Sequence, residues 1–219
     1  MKKLVLLLAC LMTALMVSGC AGEAEPFEQK SYTMDAAQLA GIAIDVRDRT
    51  IDVTRSDDAQ IHIVCFENSR EFYDVGVGED GMLQIRAARD KQWTDYIGRS
   101  VQQDLHKISV QLPDGLLEQV RVSTTNGDIR FARLSVLGSI TLDVNGGDLV
   151  LDAPDAHDFV LQAKNGDISG MIQGEYGEFA IHTEIKKGES NLPAAKSGGE
   201  RTLTVSNNNG DINLEFAGR

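Results

Sequence analysis

Asn126-Gly127-Asp128-Ile129 is the stretch that decides the fold of this chain, because close copies of it recur further along. The copies share a Gly, an acidic residue and an apolar residue, and they are Asn145-Gly146-Gly147-Asp148-Leu149, Asn165-Gly166-Asp167-Ile168 and Asn209-Gly210-Asp211-Ile212. A weaker copy, Gly188-Glu189, divides the long gap before the last one, so the acidic residues recur every 19 to 22 residues. A period of this size indicates a repeat architecture in which each unit buries its apolar face against its neighbours.

Each copy of the turn lies between two runs of alternating apolar residues. Ile140, Leu142 and Val144 precede the second copy, and Leu149 and Leu151 follow it. Alternation over short runs rich in β-branched residues predicts half-buried strands rather than helices. Gly adopts positive φ without steric cost, and Asn or Asp hydrogen-bonds nearby backbone, so the intervening residues suit tight turns.

Two all-β architectures fit these turns. Asn-Gly is a strong hairpin signal, which would give a meander of hairpins in a sandwich. The recurrence of the same turn at a near-constant period favours coils that stack in parallel. We therefore predict an all-β fold, a repetitive parallel β-solenoid of units of roughly 20 residues. A less regular N-terminal β region precedes it, in which residues 42–64 form an earlier, diverged unit.

The N-terminus carries a targeting signal. Lys2 and Lys3 precede the apolar run 4–17, which is short for a permanent membrane span. The run closes on Val17-Ser18-Gly19-Cys20, which resembles the lipobox of bacterial lipoprotein signal peptides. The resemblance implies cleavage before Cys20, a diacylglyceryl group on its sulfur and a position at the extracytoplasmic face of the cell membrane. An ordinary secretory signal that ends in a chance Cys is the alternative interpretation.

These signals divide the chain into three parts. We expect a signal peptide over residues 1–19, a lipidated Cys with a flexible tether over 20–34, and a single β-repeat domain over 35–219. Within that domain, residues 35–118 are expected to be irregular and residues 119–219 to form the regular repeats.

Acidic residues dominate the charge of the chain. With 21 Lys and Arg against 33 Asp and Glu the net charge is −12, and loss of Lys2 and Lys3 with the signal peptide leaves 19 against 33, or −14. This balance argues against nucleic acid and anionic lipid surfaces as partners, since both attract basic patches. Cys10 leaves with the signal and Cys20 is the lipid site, so Cys65 has no disulfide partner and is expected to be a buried, inert thiol.

Stacking would bring the acidic residues of the turns into one column, with neighbours about 4.8 Å apart. Two roles fit such a column: turn caps, or calcium ligands of the kind found in repeated Gly and Asp turns. The candidate column comprises Asn126, Asp128, Asn145, Asp148, Asn165, Asp167, Glu189, Asn209 and Asp211. Each coil offers a single obvious carboxylate, which favours the turn caps, so we expect neither a metal nor another cofactor.

Residues 89–106 are polar and interrupt the rhythm of the strands. They form either a plain surface loop or a binding loop, in which Trp93 and Tyr96 would anchor a sugar or a peptide. The His residues are scattered singly and no paired carboxylates stand at catalytic spacing, so no catalytic residue is predicted.

Several motifs together resemble the DUF4097 family of adhesin-like β-strand repeat proteins. They are the alternating apolar residues of 42–53, Ser56-Asp57-Asp58, the strand Ile108-Ser109-Val110-Gln111-Leu112-Pro113 and the serial Asn-Gly-Asp-Ile turns. The resemblance covers residues 33–217 and implies a toast-rack-like fold with an extracytoplasmic binding or adhesive role. It implies no catalytic residues, and the chain departs from the regular pattern at residues 186–191.

The leading functional hypothesis is a lipid-anchored, non-catalytic binding, adhesive or scaffolding module whose partner is an envelope protein or glycan. The alternatives are a calcium-dependent, polysaccharide-active β-helix enzyme and a stress-sensing or regulatory envelope lipoprotein. The last strand-like run, residues 212–216, ends three residues before the C-terminus. We expect its edge either to mediate self-association or to be covered by a cap from residues 66–107.

Overall fold

The structure is a computed structural model that describes residues 25–89 and 103–218, and within these ranges the chain is almost entirely β-structure. Short 3-10 helices at Ala36–Gln38, Gln103–His106 and Tyr176–Glu178 interrupt the strands. The strands in chain order are β1 (Glu28–Asp35), β2 (Gly41–Val46), β3 (Thr50–Arg55), β4 (Gln60–Glu67), β5 (Glu71–Val77), β6 (Met82–Arg89), β7 (Lys107–Leu112), β8 (Gln119–Asn126), β9 (Ile129–Phe131), β10 (Ser139–Gly146), β11 (Leu149–Asp152), β12 (Asp158–Asn165), β13 (Ile168–Gln173), β14 (Phe179–Ile185), β15 (Ala195–Lys196), β16 (Arg201–Asn209) and β17 (Ile212–Ala217). The prediction of an all-β fold is confirmed.

The strands form two sheets that share one core. The eight-stranded sheet has the order β1-β4-β7-β3-β9-β11-β13-β17, and the nine-stranded sheet has the order β15-β14-β16-β12-β10-β8-β2-β6-β5. Each regular coil contributes one strand to each sheet, and neighbouring coils pair in parallel, so Ile140 lies between Val120 and Phe159. The predicted parallel stack is therefore confirmed. The hairpin alternative is wrong for the repeated turns, since each of them leads from one sheet to the other.

The core consists of rows of apolar side chains that run across the coils between the two sheets. One such row contains Val120, Ile140, Phe159 and Leu203, all of which are fully buried. Alternate residues of a strand point to opposite faces, so the alternating sequence pattern places every second side chain in this core. Full burial of one such side chain is worth about 1.5–3 kcal/mol, and these rows are therefore what stabilises coil against coil.

The spatial order of the coils differs from their order in the chain at both ends of the stack. At one end, β16 lies between β12 and β14, so the last coil of the chain is inserted in front of the coil that precedes it. At the other end, β6 and β7 lie outside β2 and β3, which pair directly with β8 and β9. The coils therefore do not follow chain order, and Glu189 does not lie between Asp167 and Asp211 in the stack.

Burial explains the exchange of coils near the C-terminus. An inner coil has neighbours on both sides, and the β16–β17 coil supplies the apolar residues that this position requires, with Leu203, Val205 and Ile212 all buried. The β14 coil begins with buried Phe179 but continues into an exposed, charged stretch at residues 186–189. The less apolar coil therefore forms the end of the stack.

The edge of β17 is covered by a segment that precedes it in the chain. The backbone N–H of Ile212 donates to the Glu189 carbonyl at 2.8 Å, and the N–H of Asn191 donates to the Ile212 carbonyl at 3.1 Å. The side-chain amide of Asn191 then pairs with both backbone groups of Leu214, at 2.9 Å and 3.1 Å. This part of the β17 edge is therefore paired, and the described strands of residues 66–107 lie at the opposite end of the stack.

The β-domain begins earlier than the sequence indicated. Strand β1 pairs in antiparallel fashion with β4 from Glu28 to Asp35, with Tyr32 opposite Ile63. Residues 28–34, which were expected to belong to a flexible tether, are therefore part of the eight-stranded sheet. The signal peptide and Cys20 lie outside the described residues. Among residues 25–89 and 103–218, no helix has the length and apolar character needed to cross a membrane.

Replacement of Gly147 by Ala is expected to destabilise the stack by about 3 kcal/mol. Gly147 has a φ of 140°, and an added Cβ would collide with the Gly127 carbonyl oxygen of the neighbouring coil. Urea unfolding measures the loss. Gly76→Ala is the matched control, because a Cβ there meets nothing within 4 Å. Equal stability of the two variants would contradict the close approach.

Replacement of Asn191 by Ala is expected to lower the free energy of unfolding by about 1–3 kcal/mol and to promote self-association. The substitution leaves the N–H and C=O of Leu214 unpaired on an edge strand. Urea unfolding and sedimentation velocity give the two readouts. Asn145→Ala, at an exposed position, is the control and should change neither.

Candidate functional site

The acidic residues of the repeated turns form a continuous column at the corner where the nine-stranded sheet passes into the eight-stranded sheet. The Asp128 carboxylate accepts the backbone N–H of Asp148 at 3.1 Å, and the Asp148 carboxylate accepts that of Asp167 at 2.8 Å. The Asp167 carboxylate accepts the N–H of Asp211, and the Asp211 carboxylate that of Glu189, both at 2.8 Å. The spatial order is therefore 128, 148, 167, 211, 189, as the inserted coil requires.

This geometry gives the column a structural role. Each Asp places one carboxylate oxygen on the backbone N–H of the next coil, so the side chain links two coils across the corner. Asp128 also accepts a hydrogen bond from the Arg130 guanidinium at 2.6 Å. Nowhere in residues 25–89 and 103–218 do three or more His, Cys, Asp or Glu side chains form a group that could hold a metal ion. The hydrogen bonds from the backbone N–H groups to the Asp carboxylates are the contacts that the predicted turn-cap role requires.

The Asn side chains beside the acidic column form two separate pairs, with Gly146 at the register position between them. Asn126 Nδ2 donates to Asp48 Oδ1 at 2.6 Å, and Asn209 Nδ2 donates to Asn165 Oδ1 at 2.8 Å. Asn145 belongs to neither pair, because the strand register places Gly146, not Asn145, between Asn126 and Asn165. This turn contains one residue more than the other turns, which moves Asn145 out of the shared register. The position in the register holds Gly146 instead, where a Cβ would lie 2.9 Å from Asn126 Oδ1.

A buried ion pair closes the column at its N-terminal end. Arg49 occupies the position beside Gly127 that a Gly fills in later coils, and its guanidinium donates to Glu71 Oε2 and to the Tyr73 hydroxyl, both at 2.6 Å. Arg49 and Glu71 are almost fully buried. Burial raises the pKa of Tyr73, which keeps the phenol neutral. Sequence analysis did not find this cluster.

Two further predictions from the sequence concern Cys65 and the suggested binding loop. Cys65 is a free, buried thiol, as predicted, and burial followed by the negative charge of Glu67 raises its pKa to about 12. A thiol with such a pKa is not a nucleophile at neutral pH. Trp93 and Tyr96 of the suggested binding loop lie outside the described residues.

A groove lies at the opposite corner, where strands of the eight-stranded sheet return to the nine-stranded sheet. It has a volume of about 760 Å³, and we call it the corner groove. Its lining residues come from four segments of the chain, at 135–137, 155–157, 175–178 without Tyr176, and 199–201. The first two are return turns of regular coils, joined by the hydrogen bond from the Val136 N–H to the Asp155 carbonyl. The last two meet here because β14 and β16 exchange their order.

Arg201 organises the wall of the corner groove. Its guanidinium donates to Asp155 at 2.7 Å and to Glu178 at 3.1 Å, and it also bonds the carbonyls of Ala156 and Gln173. The same guanidinium lies 4.3 Å from the ring centre of Phe179. Arg201 therefore joins three coils, and sequence analysis missed it. The sequence does contain a sign of its burial, because Arg201 stands two residues before buried Leu203 and four before buried Val205, on the same face of the strand.

The outer face of the nine-stranded sheet carries a straight row of short polar side chains. Register places these residues side by side on five neighbouring strands, and we call them the outer row: Asp45, Ser123, Asp143, Gln162 and Ser206. Burial raises the pKa of Asp143 above its ordinary value, and the charge of Asp45 raises it further. The row is a polar and regularly spaced part of the sheet surface.

Comparison with known proteins agrees with this architecture. Residues 40–171 match the family described as Toastrack DUF4097, and the chain belongs to that family. A crystal structure of a "putative cell adhesion protein" from Clostridium sporogenes is similar, with a TM-score of 0.62 at 9% identity over 88% of this chain and 100% of the other. A "putative adhesin" from Bacteroides fragilis has a TM-score of 0.38 at 12% identity over 86% and 97% of the two chains. No curated protein sequence matches the chain.

Replacement of Asp167 by Ala is expected to lower the free energy of unfolding by about 1 kcal/mol, because the Asp211 N–H loses its acceptor. The loss should be the same with calcium and with a chelator, since the acceptor role requires no metal. Urea unfolding under both conditions measures it. Exposed Asp152, on the outer face of the eight-stranded sheet, provides the control substitution Asp152→Ala. A loss that appears only with calcium would contradict the turn-cap role.

Proposed function

We propose that this protein is a non-catalytic binding, adhesive or scaffolding module of the bacterial cell envelope, held at the extracytoplasmic face of the membrane by a lipid on Cys20. The lipobox-like sequence ending at Cys20 supports the anchor. Membership of the Toastrack DUF4097 family supports the repeat scaffold. Cell adhesion is the role named for the structural relative from Clostridium sporogenes, and we extend it to this chain.

The observation that carries the proposal is the outer row on the nine-stranded sheet. Its side chains stand on neighbouring strands about 4.8 Å apart and alternate with buried residues such as Val122 and Leu161, which fix the strands from behind. Hydroxyl, amide and carboxylate groups at equal spacing suit an extended partner that repeats its own polar groups, such as a glycan or a strand of an envelope protein. Because the sheet is packed and paired, little conformational entropy is lost when such a partner binds.

The acidic column contributes to stability in this proposal and not to a reaction. Each of its Asp residues already has one carboxylate oxygen on a backbone N–H of the next coil. A carboxylate that acts as a general base needs access to a substrate proton within hydrogen-bond reach. The column is therefore a poor starting point for lyase chemistry, which supports the binding role over the enzymatic alternative.

The anchor is tested with the full chain in a bacterial host that is supplied with labelled palmitate. Label and membrane sedimentation are both expected for the wild-type chain and for Cys10→Ser, whose substitution lies in the signal peptide. Cys20→Ser should lose both. Labelling that persists in Cys20→Ser would contradict lipidation at that residue.

The binding role is tested by co-sedimentation of the full chain, purified in mild detergent, with isolated cell walls and with membranes. The double variant Ser123→Ala/Gln162→Ala removes two hydrogen-bonding groups from the outer row and is expected to weaken retention about tenfold. Ser109→Ala/Ser169→Ala makes the matched change on the outer face of the eight-stranded sheet. Retention on neither material, or equal loss in both double variants, would contradict the proposal.

A further inference from the structure

The corner groove has the dimensions of a binding site. Its volume of about 760 Å³ falls within the range of roughly 300–1,000 Å³ that is usual for ligand pockets. Its apolar part consists of Val136 and Ala156, which are buried, and Leu137, whose side chain is 54% exposed. Leu137 therefore offers an apolar surface to an occupant, although the return turn that carries it is fixed by the packing of its neighbours.

The charge of the corner groove is strongly one-sided. Four carboxylates line it, those of Asp155, Glu175, Glu178 and Glu200, against the single guanidinium of Arg201. Three negative charges remain among these five side chains after that guanidinium is counted.

Arg201, the guanidinium of the lining, does not neutralise the rim carboxylates, Glu175 and Glu200. The guanidinium nitrogens of Arg201 are engaged by Asp155, Glu178 and two backbone carbonyls, so this group is directed at the protein and not at an incoming anion. Glu175 and Glu200 are exposed and form no ion pair with the residues that the structure describes. The net charge of −12 on the whole chain adds to the attraction of cations toward this corner.

We propose that the corner groove binds an extended cationic peptide segment of a partner protein. Lys and Arg side chains lay an apolar stem along apolar surface and direct the charged end toward polar surroundings. In the corner groove the stem would lie on Leu137, and the charged end would reach Glu175 or Glu200. This inference deepens the proposed binding function and rests on it, but it assigns the partner to a surface separate from the outer row.

The lining also discriminates between cations. A divalent metal ion requires several oxygen ligands converging on one point, and the described residues contain no such group. The exposed carboxylates Glu175 and Glu200 stand on different segments of the lining, which also includes apolar Leu137. That arrangement suits a ligand with several separated charges and apolar spacers, which is the pattern of a basic peptide.

The test uses the full chain, purified in mild detergent, and the fluorescein-labelled peptide Lys-Leu-Lys-Leu-Lys, with fluorescence anisotropy as the readout. Glu175→Gln/Glu200→Gln is expected to weaken peptide binding about fivefold to tenfold, because it removes the two carboxylates that have no internal partner. Glu79→Gln/Glu215→Gln is the matched control. It removes the same charge from exposed positions outside the corner groove and should change the Kd by less than about twofold.

A second variant examines the apolar contact. Leu137→Ser keeps every charge and should weaken binding of Lys-Leu-Lys-Leu-Lys by about threefold or more. Thermal unfolding followed by circular dichroism confirms that each variant is folded. No binding by the wild-type chain, equal weakening by both Glu pairs, or no effect of the groove pair would overturn the assignment.

These outcomes are separable from a failure of the proposed function. If the wild-type chain is retained on cell walls or membranes but does not bind the peptide, the groove assignment fails and the binding function stands. If the chain is retained on neither material, the envelope-binding function fails, whatever the peptide result.

Discussion

The whole stack depends on the close approach of the turn Gly residues to the backbone of the neighbouring coil. At Gly127, Gly147, Gly166 and Gly210 an added Cβ would strike a carbonyl group of the adjacent turn, and each of these residues has φ between 120° and 140°. Only Gly combines that φ with that proximity at low cost. Because the turns touch, the flanking strands are held at hydrogen-bonding distance in both sheets, and the inward side chains line up in rows.

The acidic residue follows from the same constraint. A turn that packs this tightly leaves a backbone N–H directed along the stack, and a short carboxylate on the preceding coil reaches it. Asp has the right length for this contact, whereas the longer Glu189 stands at the end of the column, where it donates its own N–H to Asp211 and has no further coil to cap. The repeated Gly-Asp pair therefore follows from the geometry of the stacked turns, and a ligand is not needed to explain it.

The repeated features of the structure could be predicted from the sequence, and its exceptions could not. Alternation and a regular turn were enough to predict the parallel stack, because both arise from local geometry that every coil shares. The order of the coils was missed, since it depends on a comparison of how much apolar surface the β14 and β16 coils can bury. Asn145 was misplaced because Asn-Gly-Gly-Asp contains one more residue than Asn-Gly-Asp, and only the strand register decides which residue lies between Asn126 and Asn165. Arg49 and Arg201 were missed because a charged residue in the inward phase of a strand is normally read as exposed.

Those two arginines mark the positions where chain order and spatial order diverge. Arg49 links the first regular corner to β5 through Glu71 and Tyr73, and Arg201 links β16 to Asp155 of one coil and Glu178 of another. A buried ion pair contributes little net stability, because desolvation offsets the attraction, but removal of one partner is costly.

Apolar rows alone are tolerant of which coil lies next to which. A guanidinium that needs particular carboxylates and carbonyls is not, so we infer that these pairs help to specify the order of the coils. At the Arg201 corner, the two segments whose strands exchange their order supply half of the lining of the corner groove. The corner groove is therefore a consequence of the order of the coils. Its rim carboxylates, Glu175 and Glu200, take no part in the ion pairs of Arg201.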